Sequence, residues 1–245
     1  MSTVWMEGDV PYLTSEQMRE VDRVMTEDFH IDLGRMMENA GRGLAHLARE
    51  RFLAKDPRDK SVIVLAGTGG NGGGAMAAAR RLHGWGATVG VVATREPEHM
   101  DAVPGEQLRI LEMMDVPLSV GEVPPSRPPD LIIDGVIGYS LQGAPRGIAK
   151  ELIDWANGTV VPVLSLDVPS GFDAGRGLVF APIVKATATM TLALPKVGFR
   201  EDGAADVVGE LYLADIGVPR ELYAREPLSL TVGPVFARSD VVRVA

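Results

Sequence analysis

Three stretches of the sequence hold residue types that do chemistry in an open α/β sheet, where sites form beyond the carboxyl ends of the strands. The first is Gly67-Thr68-Gly69-Gly70-Asn71-Gly72, which has the G-x-G-x-x-G spacing of a dinucleotide loop and runs on into Gly73 and Gly74. Set after an apolar strand and before a helix, its backbone N–H groups and the helix N-terminus can hold a phosphate. The second stretch, Asp134 to Arg146, opens with a carboxylate at the end of an apolar run and continues through Gly138-Tyr139-Ser140-Leu141-Gln142. That pentapeptide is a near match to a nucleophile elbow, failing at Gln142, and the last histidine of the chain is His99, upstream of it. A serine triad is excluded, which leaves a glycine-flanked loop able to touch a ligand through Ser140 and backbone groups. The third stretch, Asp167-Val168-Pro169-Ser170-Gly171-Phe172-Asp173, again begins with a carboxylate that closes an apolar strand. Such a carboxylate must be capped, ion-paired or bound to something charged. For Asp134 or Asp167 alone, a structural role weighs as much as a functional one; two of them converging beside a glycine-rich loop tip the balance toward function.

Composition narrows the chemistry further. The 245 residues include no cysteine, so disulfides, thiolate metal sites and thiol nucleophiles are ruled out. The four histidines, His30, His46, His83 and His99, lack the spacing of a zinc-binding helix. With 24 Lys and Arg against 33 Asp and Glu the net charge is −9, and no run of basic residues provides the surface that nucleic acid requires. The apolar runs are far shorter than the roughly 18 residues that span a bilayer, and the mixed, acidic MSTVWMEGDVPYL lacks the layout of a signal peptide. A soluble, cytoplasmic protein without nucleic-acid or membrane partners is expected.

The elements that must position these stretches alternate along the chain. Thr14 or Ser15 can cap a helix over EQMREVDRVMTEDF, in which Met18, Val21, Val24 and Met25 share one face. A second helical pattern runs through RMMENAGRGLAHLARERFL, with Met36 and Met37 in the core. Then SVIVLA reads as a buried strand, AMAAARRLHGWG as a helix and ATVGVVAT as a strand, which is a parallel crossover unit. The alternation continues with EQLRILEMMD as helix, DLIIDGVIG as strand, RGIAKELIDWAN as helix with Gly158 beyond its end, VVPVLSLDV as strand, and ATATMTLALP and GELYLADIG as two more strands. Proline-rich VPPSRPP is a connector within this alternation. The pattern predicts a Rossmann-like three-layer α/β/α fold, a mostly parallel sheet behind a helical N-terminal extension, as a single domain over residues 1–245. Arg95, just past the second strand, could meet a 2′-phosphate, which keeps a NADP-dependent oxidoreductase open as an alternative. Against it, none of the four tyrosines is followed four residues on by lysine, as a short-chain dehydrogenase of this size would show.

Five blocks carry a more specific resemblance: MENAGR at 37–42, VLAGTGGNGGGAMAAARRL at 64–82, IIDGVIGYSLQGAPRG at 132–147, SLDVPSGFDAGRG at 165–177 and ADIGVP at 214–219. Together and in this order they resemble the NAD(P)H-hydrate epimerases of the YjeF N-terminal domain family. The resemblance implies a homodimer that interconverts the R and S forms of hydrated NADH and NADPH with one bound potassium ion per subunit. It carries the potassium ligands onto Asn71, Asp134 and Ser170, all oxygen donors suited to a hard cation. The substrate segments fall on Gly70, Asn71, Gly72, Gly73 and Gly74 and on Gly138, Tyr139, Ser140, Leu141, Gln142, Gly143 and Ala144, and the acid/base carboxylate on Asp167. Where the family loop reads NNGGDG this chain has Gly70 and Gly74 in place of the first Asn and the Asp. That keeps open a second reading, a nucleotide-binding or interaction module with weak or no turnover. Many bacterial relatives carry a C-terminal dehydratase domain, and none is expected within this chain.

Overall fold

The computed structural model describes residues 4–6, 8–124 and 128–245. Met1–Thr3 and Glu7 of the N-terminal stretch, and Pro125, Ser126 and Arg127 of the connector, lie outside the described residues. In chain order the elements are α1 (Ser15–Glu27), α2 (Leu33–Arg51), β1 (Ser61–Ala66), α3 (Gly70–Gly84), β2 (Thr88–Ala93), α4 (Ala102–Met113), β3 (Leu118–Val120), β4 (Leu131–Gly135), α5 (Gly147–Asn157), β5 (Val163–Leu166), β6 (Phe172–Asp173), β7 (Leu178–Val179), β8 (Ala188–Leu192), α6 (Ala205–Val208), β9 (Glu210–Ala214), α7 (Arg220–Tyr223) and β10 (Val241–Arg243).

Eight strands form one sheet in the order β10-β9-β8-β5-β4-β1-β2-β3, parallel throughout except for β10. Alternation of side chains between two covered faces explains why β1 is apolar from Val62 onward. Val62, Val64 and Ala66 face the layer of α2, α3 and α4, where Leu44, Met76 and Leu108 close the core. Leu65 faces the opposite layer, against Leu152 and Ile153 of α5. The strand order reverses between β1 and β4, and that reversal is where an open α/β sheet leaves a crevice at the carboxyl ends of its strands.

The N-terminal extension is joined to the rest by hydrogen bonds as well as packing. Thr14 and Gln17 make a reciprocal capping box at the start of α1, and Met18, Val21, Val24 and Met25 form its buried stripe. Just before it, the Leu13 N–H donates to the Pro195 carbonyl at 2.8 Å and the Val197 N–H to the Leu13 carbonyl at 3.0 Å. The segment leading into α1 therefore grips the chain on both sides of Lys196. Among the described residues, no helix is long and apolar enough to cross a membrane.

Most long elements stand where the hydrophobic pattern places them, but α3 begins at Gly70 and not at Ala75, so Gly70 to Gly74 form its first turn and are not a loop. The edge strands β3 and β10 and the hairpin of β6 and β7 have two or three residues each, too few for a period of two to register in sequence. β10 is fixed by its antiparallel register with β9, where Val241 pairs with Ala214.

Candidate functional site

At the carboxyl end of β1 the backbone has almost no clearance. A Cβ on Gly67 would lie 1.9 Å from the Val136 carbonyl oxygen, and one on Gly72 would lie 1.9 Å from the carbonyl oxygen of Gly67. Both glycines are demanded by close approach of backbone to backbone. With Gly69 as its N-cap, α3 starts without a side-chain cap, so the amides of its first turn are unclaimed by the helix until Gly73, whose N–H donates to Gly69 at 3.1 Å. Gly70 is exposed, whereas Gly72, Gly73 and Gly74 are buried. Gly73 lies against Met37, and Gly74 lies under Leu166, whose Cδ2 would be 2.7 Å from an added Cβ. What this loop offers a ligand is backbone N–H together with the side chain of Asn71.

Asn71 is held in one orientation. Its Nδ2 donates to the Leu166 carbonyl at 2.6 Å, which turns Oδ1 toward Gly138; a Cβ there would sit 2.8 Å from that oxygen. Asp134 pairs in register with Leu65 of β1 and is wholly enclosed. Its Oδ1 accepts from the Ser170 hydroxyl at 2.6 Å and the Val136 N–H at 3.2 Å, and its Oδ2 from the Ser165 hydroxyl at 2.8 Å and the Ser170 N–H at 2.9 Å. Burial pushes this carboxyl above the usual carboxylate range, and the four hydrogen bonds act against that. No lysine or arginine pairs with it among the described residues. Ser170 also accepts the Ile137 N–H at 2.8 Å, tying the start of the 138–144 loop to the turn after β5.

Asp167 occupies the turn after β5 with a left-handed backbone, φ +64. That conformation is costly for any residue but glycine and least so for Asn and Asp, and strain of this kind marks a position fixed by its surroundings. The side chain is anchored through one oxygen. Oδ1 accepts from the Thr191 hydroxyl at 3.1 Å, the Leu192 N–H at 3.2 Å and the ammonium of Lys196. Oδ2 receives no hydrogen bond among the described residues. Lys196 is fully buried and spends its remaining donors on the Thr191 hydroxyl at 3.0 Å and the Leu192 carbonyl at 2.9 Å. The resulting arrangement is a buried carboxylate clamped through one oxygen, with no hydrogen bond to the other among the described residues.

The structure thus brings Asp134 and Ser170 into direct contact and sets Asn71 alongside them through Leu166 and Gly138, with Asp167 at the end of the adjoining strand. Tyr139, half-buried, donates its hydroxyl to Oδ2 of Asp22 at 2.6 Å. Ser140, Gln142 and Ala144 are exposed, and Leu141 and Gly143 are half-buried. Asp173 turns out to be a turn former, accepting the N–H groups of Gly175 and Arg176 at 3.0 and 3.2 Å.

Lys196, Thr191 and Asp22 went unnoticed in the sequence. A lysine directly after an apolar strand and a proline meets the same test that singled out Asp134 and Asp167, since its charge too needs a partner at a buried strand end. Asp22 is four residues after Met18 and three before Met25, on the edge of the buried stripe of α1.

Comparison with known proteins adds to this geometry. A family model described as the YjeF-related protein N-terminus matches residues 33–198. An NAD(P)H-hydrate epimerase of Dehalogenimonas lykanthroporepellens is 40% identical over 229 residues, covering 92% of this chain and 89% of that one. Another from Truepera radiovictrix is 38% identical over 223 residues, covering 91% and 97%. The bifunctional NAD(P)H-hydrate repair enzyme Nnr of Salinibacter ruber is 34% identical over 225 residues, 85% of this chain and 41% of that protein. The crystal structure of yeast ynu0, YNL200c, superposes with a TM-score of 0.75 at 22% identity, covering 96% of this chain and 100% of that one, which is a likeness of fold.

Proposed function

This chain belongs to the YjeF-related N-terminal family, and from that premise we propose that it interconverts the R and S forms of hydrated NADH and NADPH. The observation that carries the reading is the Asp167 carboxylate, held through Oδ1 by three donors and with no hydrogen bond to Oδ2 among the described residues. The substrate carbon bears a hydroxyl group and the ring nitrogen, so its configuration changes when one of those bonds opens and recloses on the other face. As the carboxylate half of an ion pair, Asp167 starts as a base. It takes the hydroxyl proton while the carbon–oxygen bond becomes a carbonyl; the carbon–nitrogen bond breaks, and the ring nitrogen keeps the electron pair and takes up the proton that Asp167 has accepted. Reclosure on the opposite face reverses each transfer, so that no proton or electron is gained or lost overall. Lys196 and Thr191 keep the carboxylate in place through the cycle.

The free amides at the start of α3 suit a phosphate of the dinucleotide, and the 138–144 loop lies beside Asp167 to meet the rest of the substrate. The amide oxygen of Asn71, the Asp134 carboxylate and the Ser170 hydroxyl would hold a potassium ion. They form an all-oxygen set with one buried carboxylate that has no cationic partner among the described residues, which also hold no cluster of three or more His, Cys, Asp or Glu of the kind a transition metal favours. Four hydrogen bonds already fill the lone pairs of Asp134, so holding a cation would require this carboxylate to give up at least one of them. Held by these residues, a potassium ion would supply positive charge beside the loops proposed to meet the substrate. The protein acts in the cytoplasm as a homodimer, with residues 1–245 forming a single domain. Pure R epimer, incubated with the protein in potassium buffer and followed by chromatography, tests the reading: it relaxes toward the mixture of epimers faster than in buffer alone. An unaccelerated rate refutes it.

A further inference from the structure

No step of the reaction uses Asp22, although this carboxylate sits close to the centre of the site. It lies on α1, before the family-matched span of 33–198, and its side chain is largely enclosed. Its one side-chain hydrogen bond is the 2.6 Å contact from the Tyr139 hydroxyl, and no lysine or arginine pairs with it among the described residues. A carboxylate enclosed with a single neutral partner is an expensive way to fasten a loop. Burial raises its proton affinity, the charge of Asp167 acts in the same direction, and Tyr139 and Lys196 act in the other.

Apart from the packing of the Tyr139 ring against two apolar clusters and the burial of Pro145, the loop it fastens has few bonds to hold it. Among the described residues, the Tyr139 contact is the only hydrogen bond of standard geometry made by residues 138–146. Upstream, Ile137 is tied down by Ser170. Downstream, the next regular structure begins with α5 at Gly147. α1 in turn is fixed against the catalytic segment by the bonds of Leu13 to either side of Lys196. The loop and the Asp167–Lys196 pair are therefore referenced to the same rigid helix.

We propose that Asp22 is a positioning residue of this site: through the Tyr139 hydroxyl it fixes the 138–144 loop at the distance from Asp167 that the substrate requires. The proposal rests on the reading that this loop meets the substrate. It makes the N-terminal extension a working part of the site, and it gives the Tyr139 hydroxyl a role in geometry instead of proton transfer.

The test compares the full-length protein with Asp22→Ala, Asp22→Asn, Tyr139→Phe and the Asp22→Ala/Tyr139→Phe double variant, by amide hydrogen exchange of residues 138–144 and by KM and kcat for the R epimer. Asp22→Ala and Tyr139→Phe each speed exchange of the loop and raise KM about tenfold with less than a threefold change in kcat. The double variant is no worse than either single one, because one bond is removed in each case. Asp22→Asn, whose amide oxygen can still accept from the phenol, recovers most of the loss in both readouts. Effects that multiply in the double variant, loop exchange unchanged by Asp22→Ala, or an Asp22→Asn variant as impaired as Asp22→Ala would overturn the proposal. The exchange measurement needs no turnover. An inactive wild type would refute the epimerase reading, while loop exchange would still decide for or against the tether.

Discussion

The ammonium of Lys196 and Oδ1 of Asp167 form an ion pair in which the lysine is wholly enclosed, while the second oxygen of the carboxylate is left without a hydrogen bond among the described residues. The pair joins the turn after β5 to the segment after β8, two strands adjacent in the sheet. It ties the stability of the site to its chemistry, and the two can be separated by substitution.

Asp167→Asn keeps a residue that tolerates the left-handed backbone, but it strips Lys196 of its countercharge. Removing one partner of a buried pair costs about 3 kcal/mol, read from chemical denaturation. Replacing Lys196 by Met in the same chain removes the stranded charge and recovers at least half of that loss. Epimerisation stays absent in both variants, since neither has a carboxylate to accept the proton.

Asp134 is the hub for four donors, so Asp134→Ala leaves Ser165, Ser170 and Val136 with unpaired polar groups and costs on the order of 3 kcal/mol or more. Potassium in place of choline raises the melting temperature of the wild type, by an amount equivalent to about 2.7 kcal/mol at a hundred times its dissociation constant. Asp134→Asn abolishes the difference between the two salts. A wild type indifferent to potassium would count against the cation reading.

How far the site was legible in the sequence follows from the size of each signal. β4 and β5 are buried along their length and read as mainly apolar runs, so the carboxylates at their ends, Asp134 and Asp167, stand out. The glycines at 67 and 72 were equally visible, because their spacing records backbone contacts that no side chain allows. Lys196 carries the same strand-end signal, but its pairing with Asp167, 29 residues upstream, is set only by the register of β5 with β8. Asp22 was hidden for the same reason: its contact with Tyr139 spans 117 residues. The five sequence blocks pointed to the family without showing how Asp167 is held.

Burial holds the Asp22 carboxyl above the ordinary carboxylate range, so the folded chain binds this proton more tightly than the unfolded chain does. The stability gained from that difference is fully present below about pH 4 and disappears as pH rises through the folded value; each tenfold tightening of proton binding is worth about 1.4 kcal/mol. An asparagine at this position does not titrate. The melting temperature of Asp22→Asn, taken relative to wild type, should therefore rise between pH 4 and pH 7; a constant difference would mean that the carboxyl is not perturbed.

The two departures from the family loop differ in the space available. A Cβ at Gly70 approaches only Met37 Cε, at 3.8 Å, whereas at Gly74 it presses on Leu166. Gly70→Asn should fold as wild type and bind NADP, as a substrate surrogate, up to about tenfold more tightly through one new hydrogen bond. Gly74→Asp should lower the melting temperature, because Leu166 must move. Titration and thermal melting of the two variants check both statements.

With Asp167 acting as a carboxylate base, the proposed reaction opens the bond to nitrogen and leaves the bond to oxygen intact. Turnover in heavy-oxygen water should therefore give S epimer with the original hydroxyl oxygen, by mass spectrometry; label acquired at every turnover would assign the other bond.

The decisive measurement is the rate at which pure R epimer of hydrated NADH becomes S, compared in potassium buffer between wild type, Asp167→Asn and buffer alone. The wild type should accelerate the conversion, and folded Asp167→Asn at the same concentration should give a rate that falls to the buffer value. A folded Asp167→Asn protein that turns over like the wild type would contradict the role given to this carboxylate.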